Sequence, residues 1–136
     1  MIFLITTTTN KKFGCYISSE IDKIDEYIND PNAFIFKFKE NSIETYKIKD
    51  SSKALKIMKE KENDLFVIGN GDILIKKQEK KTECSCKQSS FEYNGKENVL
   101  IGRKGTFEVK NVVVIPLSKD NKVNLNILTN LKHGAI

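Results

Sequence analysis

The chain has 136 residues, of which 39% are hydrophobic and 30% charged, a size and composition that predict one domain with a single core. Its longest apolar runs, residues 1–5 and 112–115, are far shorter than the roughly 20 residues that span a bilayer. No secretory signal opens the sequence, and three cysteines are too few for a disulfide framework. These features exclude an integral membrane protein and a classically secreted one, and they predict a cytoplasmic protein, with a nuclear location as the alternative.

The basic character of the chain comes almost entirely from lysine. The net charge is +5, yet Arg103 is the one arginine, and phosphate recognition favours the planar fork of arginine. The sequence therefore favours solvated surface lysines over a dedicated nucleic-acid site. Binding of nucleic acid or another anionic surface stays the alternative, through the most polar segment, residues 76–87, whose lysines are Lys76, Lys77, Lys80, Lys81 and Lys87.

The first third of the chain predicts a hairpin followed by a short helix. Residues 1–9 and 13–17 are extended in pattern and flank a turn at Asn10. Residues 18–28 place Ile21, Ile24 and Ile28 on one helical face behind capping serines. This helix is expected to close before Pro31, because proline disfavours helix in the preceding residue.

A strand over residues 33–39 carries the clearest alternation in the sequence. Phe34, Phe36 and Phe38 point to one face, which we expect to lie between two stacked sheets. Residues 43–48 alternate in the same way and predict the neighbouring strand. A second helix is predicted over residues 53–62, with Leu55 and Met58 on its buried side.

Two apolar segments, residues 65–68 and 73–75, flank a glycine-rich turn. Gly69 and Gly71 supply positive φ angles at this turn, and Asp72 follows them. A phosphate-binding loop is excluded because a strand, and not a helix, comes next. Asp72 is the best isolated candidate for chemistry, but we interpret it as a residue that stabilises the turn. Residues 76–87 predict an exposed loop.

Cys84 and Cys86 form a C-x-C pair. Two thiolates do not complete a zinc site, which takes four ligands. A redox role is the alternative, since nearby lysines would favour the reactive thiolate. The simplest interpretation is two small residues in a loop or at a strand end.

The remaining segments complete a β-rich pattern. A hairpin is predicted around Asn94 and Gly95, a last strand over residues 106–117, and a polar C-terminal extension over residues 118–136. The predicted fold is mainly β with two short helices, an antiparallel β-sandwich over residues 1–117; an open antiparallel α+β sheet is the alternative. His133, the one histidine, makes a catalytic triad improbable, so we expect no enzyme and no cofactor.

Several segments occur in an order that resembles the TLDc domain family. The stretch DPNAFIFKF is similar to the family strand D-x-x-A-F-L-F-x-L, FVIGNGDILI to F-G-x-G-x-D-L-x-I, and the last strand to G-x-x-x-F-x-V. The sequence begins at the first hairpin, without the further segment that usually precedes it in the family. The residues that carry the resemblance are Asp30, Phe34, Phe36, Gly69, Gly71, Asp72 and Phe107.

The resemblance implies a β-sandwich that acts in protection against oxidative damage without an established catalytic mechanism. It also implies a protein partner, since some members bind the vacuolar proton-pumping ATPase. A shortened domain is expected to leave a bare sheet edge, which can pair with another chain. A homodimer or a strand-donating partner is therefore expected.

Overall fold

The computed structural model describes residues 1–117, and the predicted extension over residues 118–136 lies outside this part. Eleven strands and two short 3₁₀ helices make up the described residues, and no helix among them is long and apolar enough to cross a membrane. The 3₁₀ helices span Ser51–Lys53 and Gln78–Glu83. The strands are β1 (Ile2–Thr7), β2 (Lys12–Tyr16), β3 (Tyr27–Ile28), β4 (Phe34–Phe38), β5 (Ile43–Lys47), β6 (Leu55–Ile57), β7 (Asp64–Ile68), β8 (Ile73–Lys76), β9 (Cys84–Ser85), β10 (Thr106–Phe107) and β11 (Val109–Ile115).

These strands form two antiparallel sheets. The first has the order β11-β1-β2-β4-β5, and the second the order β10-β9-β8-β7-β6-β3. The last predicted strand is divided at Glu108, where the chain passes from the second sheet to the first. The predicted mainly β fold with two antiparallel sheets is confirmed, and the alternative of one open sheet is wrong.

The main core lies between the sheets and draws side chains from both. From the first sheet it takes Phe3 and Phe13, and from the second Phe66 and Phe107. The Phe3 and Phe66 rings lie 5.1 Å apart, and Phe13 meets Phe107 edge-on at 5.7 Å. Such aromatic pairs each add roughly 0.5–1.5 kcal/mol beyond burial, so they join the two layers.

Both α-helices predicted from the sequence are wrong. Within residues 18–28, Asp25 has a φ of 67°, which no right-handed helix accommodates, and the segment ends in β3. Within residues 53–62, Leu55 is fully buried in β6, which pairs with β7 in the register Leu55↔Ile68. Tertiary pairing there outweighs a weak local helix preference.

The expectation for the phenylalanine stripe is also wrong. Ile35, not its phenylalanine neighbours, belongs to the core between the sheets. Phe34, Phe36 and Phe38 lie on the opposite face of the first sheet, together with Ile2 and other apolar residues. We call this second set the outer-face cluster: Ile2, Leu4, Tyr16, Phe34, Phe36, Phe38, Ile43, Ile115 and Leu117.

Of the turns and loops predicted in the second half of the chain, one is confirmed and two are wrong. The Gly69–Asp72 turn joins β7 to β8, with Ile68 paired to Ile73, as expected. Asn94 and Gly95 turn with φ angles of 57° and 78°, but no strands flank them, so the predicted hairpin is wrong. Residues 76–87 are not one exposed loop, since they hold the end of β8, a 3₁₀ helix and β9.

Candidate functional site

Asp72 is the centre of a buried polar network. Its carboxylate accepts hydrogen bonds from the backbone N–H groups of Ser89 (3.0 Å), Ser90 (2.8 Å) and Phe91 (3.3 Å), and from the Tyr93 hydroxyl (2.8 Å). Burial, followed by the charge of Asp72, raises the pKa of Tyr93, which keeps its hydroxyl protonated as a donor. The network holds residues 89–93 against the N-terminal end of β8.

Gly69 is required beside this aspartate for two reasons. Its φ is +65°, and a Cβ there would lie 2.1 Å from the Asp72 Oδ1 atom. A side chain at position 69 would therefore strain the backbone and displace the carboxylate. Gly69 thus leaves the space that the Asp72 carboxylate occupies. The hydrogen bonds of this carboxylate reach residues 89–93 and not the turn itself, so stabilisation of the turn by Asp72 stays a prediction.

Asp30 performs a similar task for the segments around β3. It is fully buried and accepts from the Ser18 backbone N–H and hydroxyl (both 2.6 Å), the Ser19 N–H (3.2 Å) and the Asn32 N–H (3.0 Å). Its oxygens are thus occupied by the two segments that flank β3. Both aspartates of the family-like motif therefore hold loops in place.

The two cysteines of the C-x-C pair are neither exposed nor activated. Cys84 has no exposed surface, and its Sγ accepts from the Lys76 N–H at 3.4 Å. Burial raises the pKa of Cys84 despite the charge of Lys76, and burial together with Asp72 raises that of Cys86. The neighbouring lysines therefore do not produce a thiolate at neutral pH, and the redox role stays a prediction without that support. No group of three or more His, Cys, Asp or Glu side chains in residues 1–117 could hold a metal ion.

The lysines predicted to bind anions are largely engaged with acidic partners. Lys76 pairs with Asp64 at 2.9 Å, while Lys80–Glu83 and Lys81–Glu108 approach to 3.8 Å. Lys77 donates to the carbonyl of Glu60. Ion pairing lowers the positive potential that would attract phosphates, which weakens the case for an anion site here. Binding of nucleic acid through this segment stays a prediction.

Lys87 instead lines a cleft of about 350 Å³ on the same side as the Asp72 network. Arg103 and Lys104 also line this cleft, together with the acidic residues Glu97 and Asp72. Cys86 is a further lining residue. This cleft was not predictable from the sequence, because all but one of its lining residues come from residues 86–105, which have no periodic pattern.

The first sheet ends in a long edge strand. β11 pairs with β1 from Ile2↔Ile115 to Thr7↔Val109, and within residues 1–117 it has no strand on its other side. Val113 and Val114 are 42% and 45% exposed on it. An unpaired edge strand of seven residues, five of them apolar, is a template for a strand from another chain. The expected bare edge is therefore present among the described residues.

A comparison with known protein families shows which family the chain belongs to. The family model described as the TLDc domain matches residues 1–114. The chain belongs to the TLDc domain family. No curated protein and no solved structure matches it significantly.

The residues that carry the resemblance to the TLDc family share a structural role. Asp30, Asp72 and Gly69 fix loops, Phe107 fills the core between the sheets, and Phe34 and Phe36 lie on the outer face. Gly71, with a φ of +101°, completes the β7–β8 turn. The structure does not bring these residues together into one pocket. The TLDc motif is thus a set of architectural positions.

Proposed function

We propose that this TLDc domain is a non-enzymatic protein-interaction module that contributes to protection against oxidative damage, and that its partner is the vacuolar proton-pumping ATPase. The match to the TLDc family over residues 1–114 is the observation that carries the proposal. The partner and the role in oxidative stress come from the family and not from a feature of this chain.

The use of the buried polar groups supports a role without catalysis. Asp30 and Asp72 each accept four hydrogen bonds from the protein itself, which leaves little capacity for a substrate. The raised pKa values of Cys84 and Cys86 oppose thiolate chemistry. Protection would then act through binding and not through consumption of peroxide.

The edge of β11 is the surface that best suits such binding. A partner strand laid along β11 gains main-chain hydrogen bonds, and Val113 and Val114 offer apolar contacts. A second copy of the chain could use the same edge, which is the homodimer expected from the sequence.

A pull-down from peroxide-treated cells tests the proposal. The wild-type chain is expected to recover subunits of the vacuolar ATPase, and Val114→Lys is expected to lose them. Leu65→Lys is the matched control, because Leu65 is 43% exposed on β7 of the other sheet. Recovery of no pump subunit by the wild type, or equal recovery by Val114→Lys, would contradict the proposal.

Peroxide consumption by the purified protein tests the non-enzymatic part. Each peroxide reduced to water takes up two electrons, so the assay supplies a thiol reductant in excess. The chain, with its three cysteines, is expected to leave peroxide consumption at the rate of the reductant alone. Sustained acceleration over many turnovers per chain would show an enzyme.

A further inference from the structure

The cleft beside the Asp72 network carries positive charge that has no ion-pair partner in the described part of the chain. Lys87, Arg103 and Lys104 line the cleft, and none of the three pairs with a carboxylate within residues 1–117. The lysines of residues 76–81, by contrast, contact acidic or carbonyl partners. The cations of the cleft are therefore the ones available to an anion.

Two further lysines bring positive charge to the segment that lines the cleft. The ammonium group of Lys37 donates to the carbonyl of Val99, which is a lining residue. The Nζ atom of Lys11 lies 3.5 Å from the position that a Cβ would take at Gly102. Burial, followed by the charge of Lys11, lowers the pKa of Lys37, as expected where cations lie close together.

The two carboxylates that line the cleft do not cancel this charge. Asp72 is fully buried, and its carboxylate already accepts four hydrogen bonds from the protein. Glu97 is exposed and has no cationic partner within 4.0 Å in residues 1–117. Five cations in or beside the cleft outnumber these two carboxylates, so the electrostatic potential favours an anionic ligand.

The walls of the cleft are held in place by hydrogen bonds of the protein itself. The side-chain oxygen of Gln88 accepts from the Val99 N–H at 3.1 Å, and its amide nitrogen donates to the Lys96 carbonyl at 2.6 Å. The Gly102 N–H donates to the Asn98 carbonyl at 2.9 Å. A cleft whose walls are already ordered costs a ligand little conformational entropy on binding.

The cations suit a phosphate group better than a carboxylate. Arg103 is the one arginine of the chain, and a guanidinium binds two phosphate oxygens at once, while lysine adds a point charge. Its Nη1 atom donates to the Lys104 carbonyl at 3.2 Å, which leaves other N–H groups of the guanidinium for a ligand. A phosphate monoester carries up to about two negative charges and three acceptor oxygens, so it can use several cations together.

The other lining residues and the size of the cleft limit the rest of the ligand. Val99, Leu100 and Ile101 are apolar residues of the lining, so the group that carries the phosphate can be apolar. The volume of about 350 Å³ lies at the lower end of the range for small-molecule sites. A compact molecule fits this cleft, and a folded macromolecule does not enter it.

We propose that this cleft binds a small phosphate monoester with a compact apolar group, and that Lys87, Arg103 and Lys104 hold the phosphate. The site is separate from the edge of β11 and does not depend on the partner proposed for that edge.

A titration of the isotope-labelled full chain with phenyl phosphate tests the site. Saturable shifts are expected in the amide signals of residues 86–88 and 98–105, while those of residues 76–81 stay unchanged. Benzoate has the same ring but one negative charge, and it is expected to bind at least about fivefold more weakly. Inorganic phosphate lacks the apolar group and is also expected to bind more weakly than phenyl phosphate.

Single charge changes identify the groups that bind. Lys87→Gln and Arg103→Gln should each weaken binding of phenyl phosphate by about tenfold. Lys80→Gln is the matched control, since this exposed lysine of the neighbouring segment pairs with Glu83, and it should change the affinity by less than about twofold. Glu97→Gln should strengthen binding severalfold, an effect that mere damage to the cleft would not produce.

Three results would overturn the proposal. The first is the absence of saturable shifts at the cleft of the wild-type chain. The second is equal affinity for benzoate and phenyl phosphate, because the cleft would then not select phosphate. The third is equal weakening by Lys87→Gln and Lys80→Gln, which would assign binding to the general surface charge. If a variant does not fold, the comparison of the two ligands on the wild-type chain decides.

Discussion

The two faces of the first sheet differ in what covers them and not in how apolar they are. The inner face, with Phe13 and Ile35, is covered by the second sheet. The outer face, with Ile2 and Phe36, is equally buried, and its described apolar neighbours lie on the first sheet itself or, in the case of Leu117, just after β11. Alternating side chains along a strand assign each residue to one of two faces of the sheet. When both faces are apolar, the alternation does not indicate which face packs against the other sheet.

The largest expected effect is on the polar network that closes the inner core. Asp72→Ala leaves three backbone N–H groups and the Tyr93 hydroxyl without their acceptor. Unsatisfied buried donors cost about 1–3 kcal/mol each, partly relieved by water. We expect a loss of about 3–5 kcal/mol in the free energy of unfolding, measured by urea denaturation.

The control for this change is Asp22→Ala, at an exposed position. It is expected to alter stability by less than about 0.5 kcal/mol. If Asp72→Ala behaved in the same way, the network would not be what holds residues 89–93.

Next in size is the direct comparison of the two faces. Ile35→Ala and Phe36→Ala each remove a side chain without exposed surface, and each should cost about 3 kcal/mol or more. Phe34→Ala, at a half-buried position on the outer face, should cost clearly less. A small effect of Phe36→Ala would mean that the outer face is open to water in solution.

Alkaline pH should weaken the inner core specifically. Burial raises the pKa of Cys15 well above 9.0 and that of Tyr93 above 10.0. The contribution of these two neutral groups to the free energy of unfolding is complete below the ordinary pKa values. It is lost as the pH rises above them, because the thiol and the phenol then ionise in the unfolded chain and not in the folded one. Each such group costs about 1.4 kcal/mol per pH unit above its ordinary pKa.

Thermal unfolding from pH 8 to pH 11 measures this loss. Cys15→Ala should make the decline with pH less steep, whatever its effect at pH 8. An unchanged slope would show that the Cys15 thiol ionises in the folded protein.

The smallest effect is expected at the exposed edge of the first sheet. Bonds from Lys39 and Tyr46 lower the pKa of Glu44 from 4.5 to about 2. Its contribution is therefore present above pH 4.5 and lost as the pH falls through about 2. Because Lys39 is 45% exposed, the stabilisation by this ion pair is small. Glu44→Gln should therefore reduce only the fall in melting temperature between about pH 4.5 and pH 2.

The strands were largely predictable, because period-two alternation and glycine turns are local signals. β4 and the Gly69–Asp72 turn follow from the sequence, and so does the class of fold. β6 did not, since Leu55 fits a helical face as well as a strand, and only pairing with Ile68 decides. The orientation of the β4 phenylalanines was equally undetermined.

The candidate site was predictable only in part. Gly69, Gly71 and Asp72 marked a turn, but no local pattern indicated that Tyr93 would donate to Asp72 across 21 residues. The ion pairs of Lys76 and Lys81 join distant segments, so the charge run alone overstated the available positive charge.

The pairing of β1 with β11 has a consequence for synthesis of the protein. Ile2 pairs with Tyr16 on one side and with Ile115 on the other, so β1 is synthesised long before the strand that completes its pairing. Until then one edge of β1 is unpaired, and such long-range pairing slows folding and exposes nascent chains to aggregation. Newly made chains are expected to depend on a holding chaperone until translation has passed Ile115.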